Sequence, residues 1–150
     1  SVTSGKPALG SGTMPAVRAE FVGAKILVVE DDPDALELLA LILRERGAIV
    51  DVASNVAAAL ALVESFRPDL VISDVGLPGE DGYALVGKLR ALRSDVSRVP
   101  AIALTAYASK KDAALAIAAG FDAHLAKPLS SAALYEALAT WLGKEHVTVV

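Results

Sequence analysis

Short apolar runs, each stopped by a polar residue, recur along most of this chain. Ile26-Leu27-Val28-Val29 stops at Glu30-Asp31-Asp32, and Leu70-Val71-Ile72 leads to Asp74. Ala101-Ile102-Ala103-Leu104 stops at Thr105, and Ala123-His124-Leu125-Ala126 at Lys127-Pro128. Between these runs the apolar positions take up helical spacing. Residues 25–29 predict a strand apolar on both faces, as expected where helices cover both sides of a sheet. Asp32 suits a helix N-cap and Pro33 the first helical position. That helix runs to about residue 46, with Gly47 at its C-terminal cap and Leu36, Leu39, Ile42 and Leu43 as its buried stripe. Residues 48–52 form a short second strand. Ser54 caps a helix carrying Val56, Leu60, Val63 and Phe66, which Pro68 stops. Residues 69–74 are the third strand, 76–82 a loop rich in Gly and Pro, and 83–92 a helix. The fourth strand spans 99–105, with Pro100 tolerated at its start. Ser109 and Asp112 have the spacing of a capping box for a helix ending at Gly120. Residues 122–126 are the fifth strand, and Ser130 or Ser131 opens a last helix with Leu134, Leu138 and Trp141 inward.

Five strand–helix units in sequence imply an open α/β fold: a parallel sheet with helices on both faces, joined by right-handed crossovers. The common order for five strands, 2-1-3-4-5, sets the first and third strands side by side, with Asp31 and Asp74 in one crevice. Residues 1–23 have a different character. They carry four glycines and two prolines without sustained periodicity, and read as a flexible linker or appended tail with a helical turn around residues 17–21. The folded domain is expected over residues 24–143, with a short tail at 144–150. The chain ends soon after the last helix, so no DNA-binding or enzymatic effector is expected behind it.

Composition narrows the picture further. Hydrophobic residues make up 54 % of the chain but aromatics only 5 %, so the core is built from Ala, Leu, Val and Ile. A net charge of −4, with Lys110-Lys111 as the longest cationic run, argues against a nucleic-acid partner. Zero cysteines exclude disulfides and thiolate sites and fit a cytoplasmic protein. No apolar stretch approaches the roughly 20 residues of a membrane span.

The acidic strand ends carry the chemistry. Carboxylates pressed together raise one another's pKa unless a cation sits among them, and an all-oxygen set without His or Cys favours Mg²⁺ or Mn²⁺. Asp32 and Asp34 read as helix-capping and solvated acids. Glu30 and Asp31 are open to either reading. A lone aspartate at Asp74 could be a turn former. A carboxylate is also a competent nucleophile toward phosphorus once a metal and a cation neutralise the incoming group. Lys127 offers that cation and Thr105 a hydroxyl. Each reads as ordinary surface alone; together, at one sheet edge, they read as a phosphoryl site.

The run from Ile26 to Pro33, the segment Pro68–Asp74 followed by Leu77-Pro78 and Asp81-Gly82, the stretch Ala103-Leu104-Thr105-Ala106, and Ala119-Gly120-Phe121-Asp122 leading to Lys127-Pro128 together resemble the receiver domain of two-component response regulators. The resemblance covers residues 24–142 and implies a flavodoxin-like (βα)5 sheet. It implies a switchable interaction module, not an enzyme beyond assisting its own phosphotransfer and slow autodephosphorylation. Asp74 would accept the phosphoryl group from the phosphohistidine of a histidine kinase or its phosphotransfer domain. Asp31, Asp74 and the Gly76 backbone carbonyl would hold Mg²⁺, with Glu30 acting through water. Lys127 would pair with the phosphate and Thr105 would be the switch hydroxyl. Pro128 is expected to follow a cis bond. His124 stands where many receivers carry Tyr or Phe, and Gly76 and Tyr107 stand at positions that tune dephosphorylation. Both a stand-alone regulator and the receiver of a hybrid histidine kinase fit, with a lean toward the hybrid. Two alternatives are a phospho-independent module of the same shape and a phosphatase on the same fold. The second lacks the further acid that such enzymes carry two residues after the nucleophile, where Gly76 stands here.

Overall fold

A computed structural model of the chain describes residues 19–106, 110–143 and 146–149. In chain order the elements are β1 (Ala19–Glu20), β2 (Lys25–Val29), α1 (Pro33–Glu45), β3 (Ile49–Ala53), α2 (Val56–Phe66), β4 (Leu70–Asp74), α3 (Gly82–Arg90), a 3-10 turn (Asp95–Arg98), β5 (Ala101–Thr105), α4 (Lys110–Ala119), β6 (Ala123–Ala126), α5 (Ser131–Trp141) and β7 (Thr148–Val149). Five strands form one parallel sheet in the order β3-β2-β4-β5-β6. Counted within that sheet, this is the expected order 2-1-3-4-5.

The alternation of side chains along each strand builds two cores. Ile26, Val28, Leu70, Ile72, Ile102 and Leu104 point to the face covered by α1 and α5, where Leu39, Leu43, Leu134 and Leu138 meet them. Leu27, Val29, Val71, Ala101 and Ala103 point to the opposite face and pack on α2, α3 and α4 through Ala59, Val63, Leu85, Leu89 and Ala116. β4 and β5 are buried along their whole length, as central strands covered on both sides must be. The edge strand β3 is blocked by side chains: Arg44 Nη2 donates to the Val50 carbonyl at 2.9 Å and Asp51 Oδ1 accepts from Val52 N at 2.9 Å. Such contacts occupy polar groups that an unprotected edge would offer to another chain.

Local capping follows the expected chemistry with one exception. Asp32 caps α1, its side chain accepting from Asp34 N, with Pro33 next. Ser130 caps α5 through Ala133 N. The second helix, however, is capped by Asn55, not Ser54: the Asn55 carboxamide oxygen accepts from Ala58 N at 2.8 Å. The residue whose backbone is extended at φ −155 is the one whose side chain can reach N3. The Ser109 cap falls outside the described residues, as does Tyr107.

The ends of the domain need correction. Of the helical turn expected around residues 17–21, residues 17 and 18 lie outside the described residues, and Ala19–Glu20 form β1, which pairs antiparallel with β7 in a second, two-stranded sheet. Phe21 is fully buried, with its ring centroid 6.0 Å from that of Tyr135. Val147 packs against the same core. The packed body therefore starts before residue 24 and continues past residue 143.

Candidate functional site

The C-terminal ends of β2, β4 and β5 and the turn after β6 converge on one edge of the sheet. Parallel pairing sets Val29 beside Ser73 and Asp74 beside Leu104, so the residues that follow or end these strands share one level. Glu30 leaves β2 with its backbone N–H donated to the Ala53 carbonyl at 3.0 Å, and its side chain is almost fully buried. Asp31 beside it is exposed. Asp74 ends β4, 8 % exposed. One carboxylate oxygen from each of Glu30, Asp31 and Asp74 lies within 4.8 Å of the others.

Lys127 balances this charge. Its ammonium lies 2.8 Å from Glu30 Oε1 and 3.2 Å from Asp74 Oδ2, bridging the two buried acids and leaving Asp31 outside the pair. Thr105 places it: the Lys127 N–H donates to the Thr105 carbonyl at 2.8 Å. The Lys127–Pro128 peptide is cis. Asp74 Oδ1 accepts from Gly76 N at 3.1 Å, so the two oxygens of this carboxylate have different surroundings, one on an amide and one facing the ammonium. Glu30 Oε2 accepts from Asp32 N at 3.1 Å. Both Glu30 oxygens are thus engaged by donors of the chain itself.

The electrostatics follow from burial and pairing. Desolvation pushes the Glu30 carboxyl up; Lys127 and the Asp32 N–H pull it back, Asp74's charge adds to the rise, and the net effect is upward. Burial acts to lower Lys127, but the hydrogen bond to Glu30 and the charge of Asp74 outweigh it, and the ammonium is held above its ordinary range. A cation that stays charged between two acids suits the binding of a further anionic group.

The site also depends on a close approach that sequence pattern alone does not announce. A Cβ on Gly82 would fall 2.5 Å from the Asp74 carbonyl oxygen and 2.7 Å from Val75 Cα. Only glycine lets the start of α3 lie this near the Asp74 turn, where Gly82 N donates to the Val75 carbonyl at 3.0 Å. Ser73 Oγ adds a bond to the Asp74 carbonyl at 3.0 Å. The other expected site residues lie nearby but do different things. Thr105 is buried at the end of β5. His124 is half-buried on β6, in register with Ala103, three residues before Lys127.

The sequence profile of the response regulator receiver domain matches residues 26–139. The chain belongs to the response regulator receiver family. An uncharacterised 14.6 kDa protein of Leptolyngbya boryana is 48 % identical over 104 residues, 69 % of this chain and 79 % of that protein. The DNA-binding response regulator MtrA of Mycolicibacterium smegmatis is 40 % identical over 104 residues, 69 % of this chain but only 44 % of the regulator. Among solved structures, the receiver domain of a sensor histidine kinase from Pseudomonas aeruginosa, with a magnesium ion coordinated in its active site cleft, superposes with a TM-score of 0.73 at 36 % identity, covering 80 % of this chain and 98 % of that one. The chain therefore carries a receiver domain of two-component systems, and receiver domains are signalling modules, not typical enzymes. Receivers work with histidine kinases or phosphotransfer proteins, and the family binds Mg²⁺ in an acidic pocket. The residues here fit that ion: every side-chain donor is a hard oxygen, the three carboxylates are clustered, and one of them, Asp31, is exposed. Among the described residues no helix is long and apolar enough to cross a membrane.

Proposed function

We propose that Asp74 is the residue that receives the phosphoryl group, from the phosphohistidine of a histidine kinase or its phosphotransfer domain. The single observation that carries this reading is the position of Asp74: a buried strand-end carboxylate between an amide at 3.1 Å and an ammonium at 3.2 Å. Gly76 N–H orients the carboxylate by holding Oδ1. A carboxylate oxygen attacks phosphorus, a new O–P bond forms, the N–P bond breaks, and its electron pair returns to the donor imidazole. Lys127 supplies positive charge to the transferred group throughout. Asp31, Asp74 and the Gly76 carbonyl are the groups that hold Mg²⁺ in this reading. Glu30, both of whose oxygens are bonded within the chain, would act on the ion through water. Held there, Mg²⁺ would offset the charge repulsion between the carboxylate and the incoming phosphoryl group.

The modification adds roughly −1.5 to −2 charge beside Lys127 and Thr105. Thr105 turns its hydroxyl to the new oxygens and Lys127 follows them, so β5, α4 and β6 move as a two-state element. The exposed side of that region, which includes Leu115 and Ile117, is the surface a downstream protein reads. His124 replaces the larger aromatic of many receivers on β6, so the switch here rests more on Thr105 and Lys127. Hydrolysis of the acyl phosphate by the domain itself is slow and resets it.

Incubation with acetyl phosphate and Mg²⁺, followed by intact mass, tests the assignment. The parent gains one phosphoryl-sized increment that survives acid, is lost in base and requires the metal. Asp74→Asn gains none. An equal increment on Asp74→Asn refutes the assignment.

A further inference from the structure

At the pole of the sheet opposite Asp74, one side chain ties four segments together. Arg90, the last residue of α3, donates from Nε to the Gly120 carbonyl at 3.0 Å and from Nη1 to the carbonyls of Ser97 at 2.9 Å and Val99 at 2.6 Å. Its Nη2 meets Asp122 Oδ2 at 2.9 Å. The same Asp122 oxygen accepts from Ala101 N, the first amide of β5, at 2.8 Å. The end of α3, the exit of the 3-10 turn, the start of β5 and the turn from α4 to β6 thus share one guanidinium–carboxylate pair. The planar fork of arginine makes this possible, and lysine cannot reproduce it. Gly120 is shaped to the clamp: its φ is +124, and a Cβ there would lie 3.2 Å from Arg90 Cγ.

The helix held at this point is otherwise lightly attached. Ala116 is the only residue of α4 that is fully buried, and Leu115 and Ile117 are about half exposed. Just beyond its C-terminus Phe121 is buried, with its N–H bonded to the Ala116 carbonyl at 3.1 Å. The anchoring therefore sits at the C-terminal end of α4 and at the first residue of β5. The opposite ends of both elements lead to Thr105 and the phosphoryl site.

We propose that the Arg90–Asp122 clamp is the fixed end of a lever. It holds the far ends of β5, α4 and β6 as one block, so that a change at Thr105 tilts α4 about Gly120 and does not slide the helix along the sheet. Arg90 is in this sense a positioning residue for the switch. The direction of movement rests on the reading of Thr105 and Asp74 given above; the clamp itself does not.

Hydrogen–deuterium exchange on the full chain tests it, with Mg²⁺ and beryllofluoride as the phosphoryl mimic. In the parent, the mimic changes exchange over residues 110–115 and leaves 116–122 as they were. In Arg90→Lys, which keeps the charge and loses the fork, and in Asp122→Asn, exchange over 116–122 rises at least tenfold before any mimic is added. The mimic then alters α4 along its whole length. Three results overturn the proposal: parent-like exchange over 116–122 in both variants, a parent response as large at Gly120 as at Lys110, or a uniform rise that includes β2 and α1, which would mark a general loss of stability. A parent with no response at all contradicts the Asp74 assignment instead, and the comparison without mimic still decides the clamp.

Discussion

Lys127 is the side chain on which the site turns. Among the described residues it is the cation placed against two buried acids, and each of them is satisfied partly by it and partly by a backbone amide. Removing such a partner would leave buried negative charge uncompensated, which is far more costly than the pair's own net contribution. The upward shift of the ammonium makes a pH prediction with a definite sign. A lysine whose folded pKa exceeds its unfolded value gives stability that is fully present below the unfolded value and is lost as pH rises through the folded one. Between pH 9 and 12, roughly bracketing the ordinary lysine value of 10.5, the urea midpoint of the parent should therefore fall faster than that of Lys127→Met. Parallel curves would show that Lys127 gains nothing from Glu30 and Asp74. The charged strand-end residues were legible in the sequence because each interrupts an apolar run. Which acid Lys127 holds was not: that Glu30 is bonded to Lys127 while Asp31 stays exposed depends on where a side chain 97 residues away comes to rest.

At the scale of elements, strand and helix order could be read directly, since apolar runs and helical spacing alternate and crossover handedness leaves few topologies. Boundaries moved where two neighbouring residues offered the same chemistry. Ser54 and Asn55 are both good caps, and only the backbone at Asn55 selects between them. The two-residue strands β1 and β7 have no periodicity to recognise, and the Arg90–Asp122 clamp joins positions 32 residues apart with no local signature. The loop from β4 to α3 shows the reverse case. Its glycines and prolines announce a turn, but the reason for Gly82 appears only in space, where α3 begins against the Asp74 backbone. Gly82→Ala forces that backbone aside and should cost about 1–3 kcal/mol, the usual range for overpacking. An unchanged urea midpoint would mean that the turn relaxes freely and does not fix the acceptor.

For the whole molecule, the packed body reaches beyond the strand–helix units. The chain's two described ends pair with each other, and Phe21 fills the core beside Tyr135 while the Arg46 guanidinium lies 4.4 Å from the Tyr135 ring centroid. Low composition in aromatics made this hard to foresee, because a single Phe two residues before a glycine reads as part of a tail. Phe21→Ala should destabilise the fold by about 3–5 kcal/mol, the cost typical of deleting a buried aromatic; a loss within error of zero would return residues 19–23 to the status of a tail. The central claim concerns the opposite pole, where acids from β2 and β4 meet the ammonium after β6. Its most direct test is to phosphorylate the full chain with acetyl phosphate and Mg²⁺, reduce the acyl phosphate with borohydride, and map by peptide sequencing which residue has become homoserine. Conversion at Asp74 alone is the predicted result; conversion at Asp31, Glu30 or elsewhere with Asp74 intact would contradict the account.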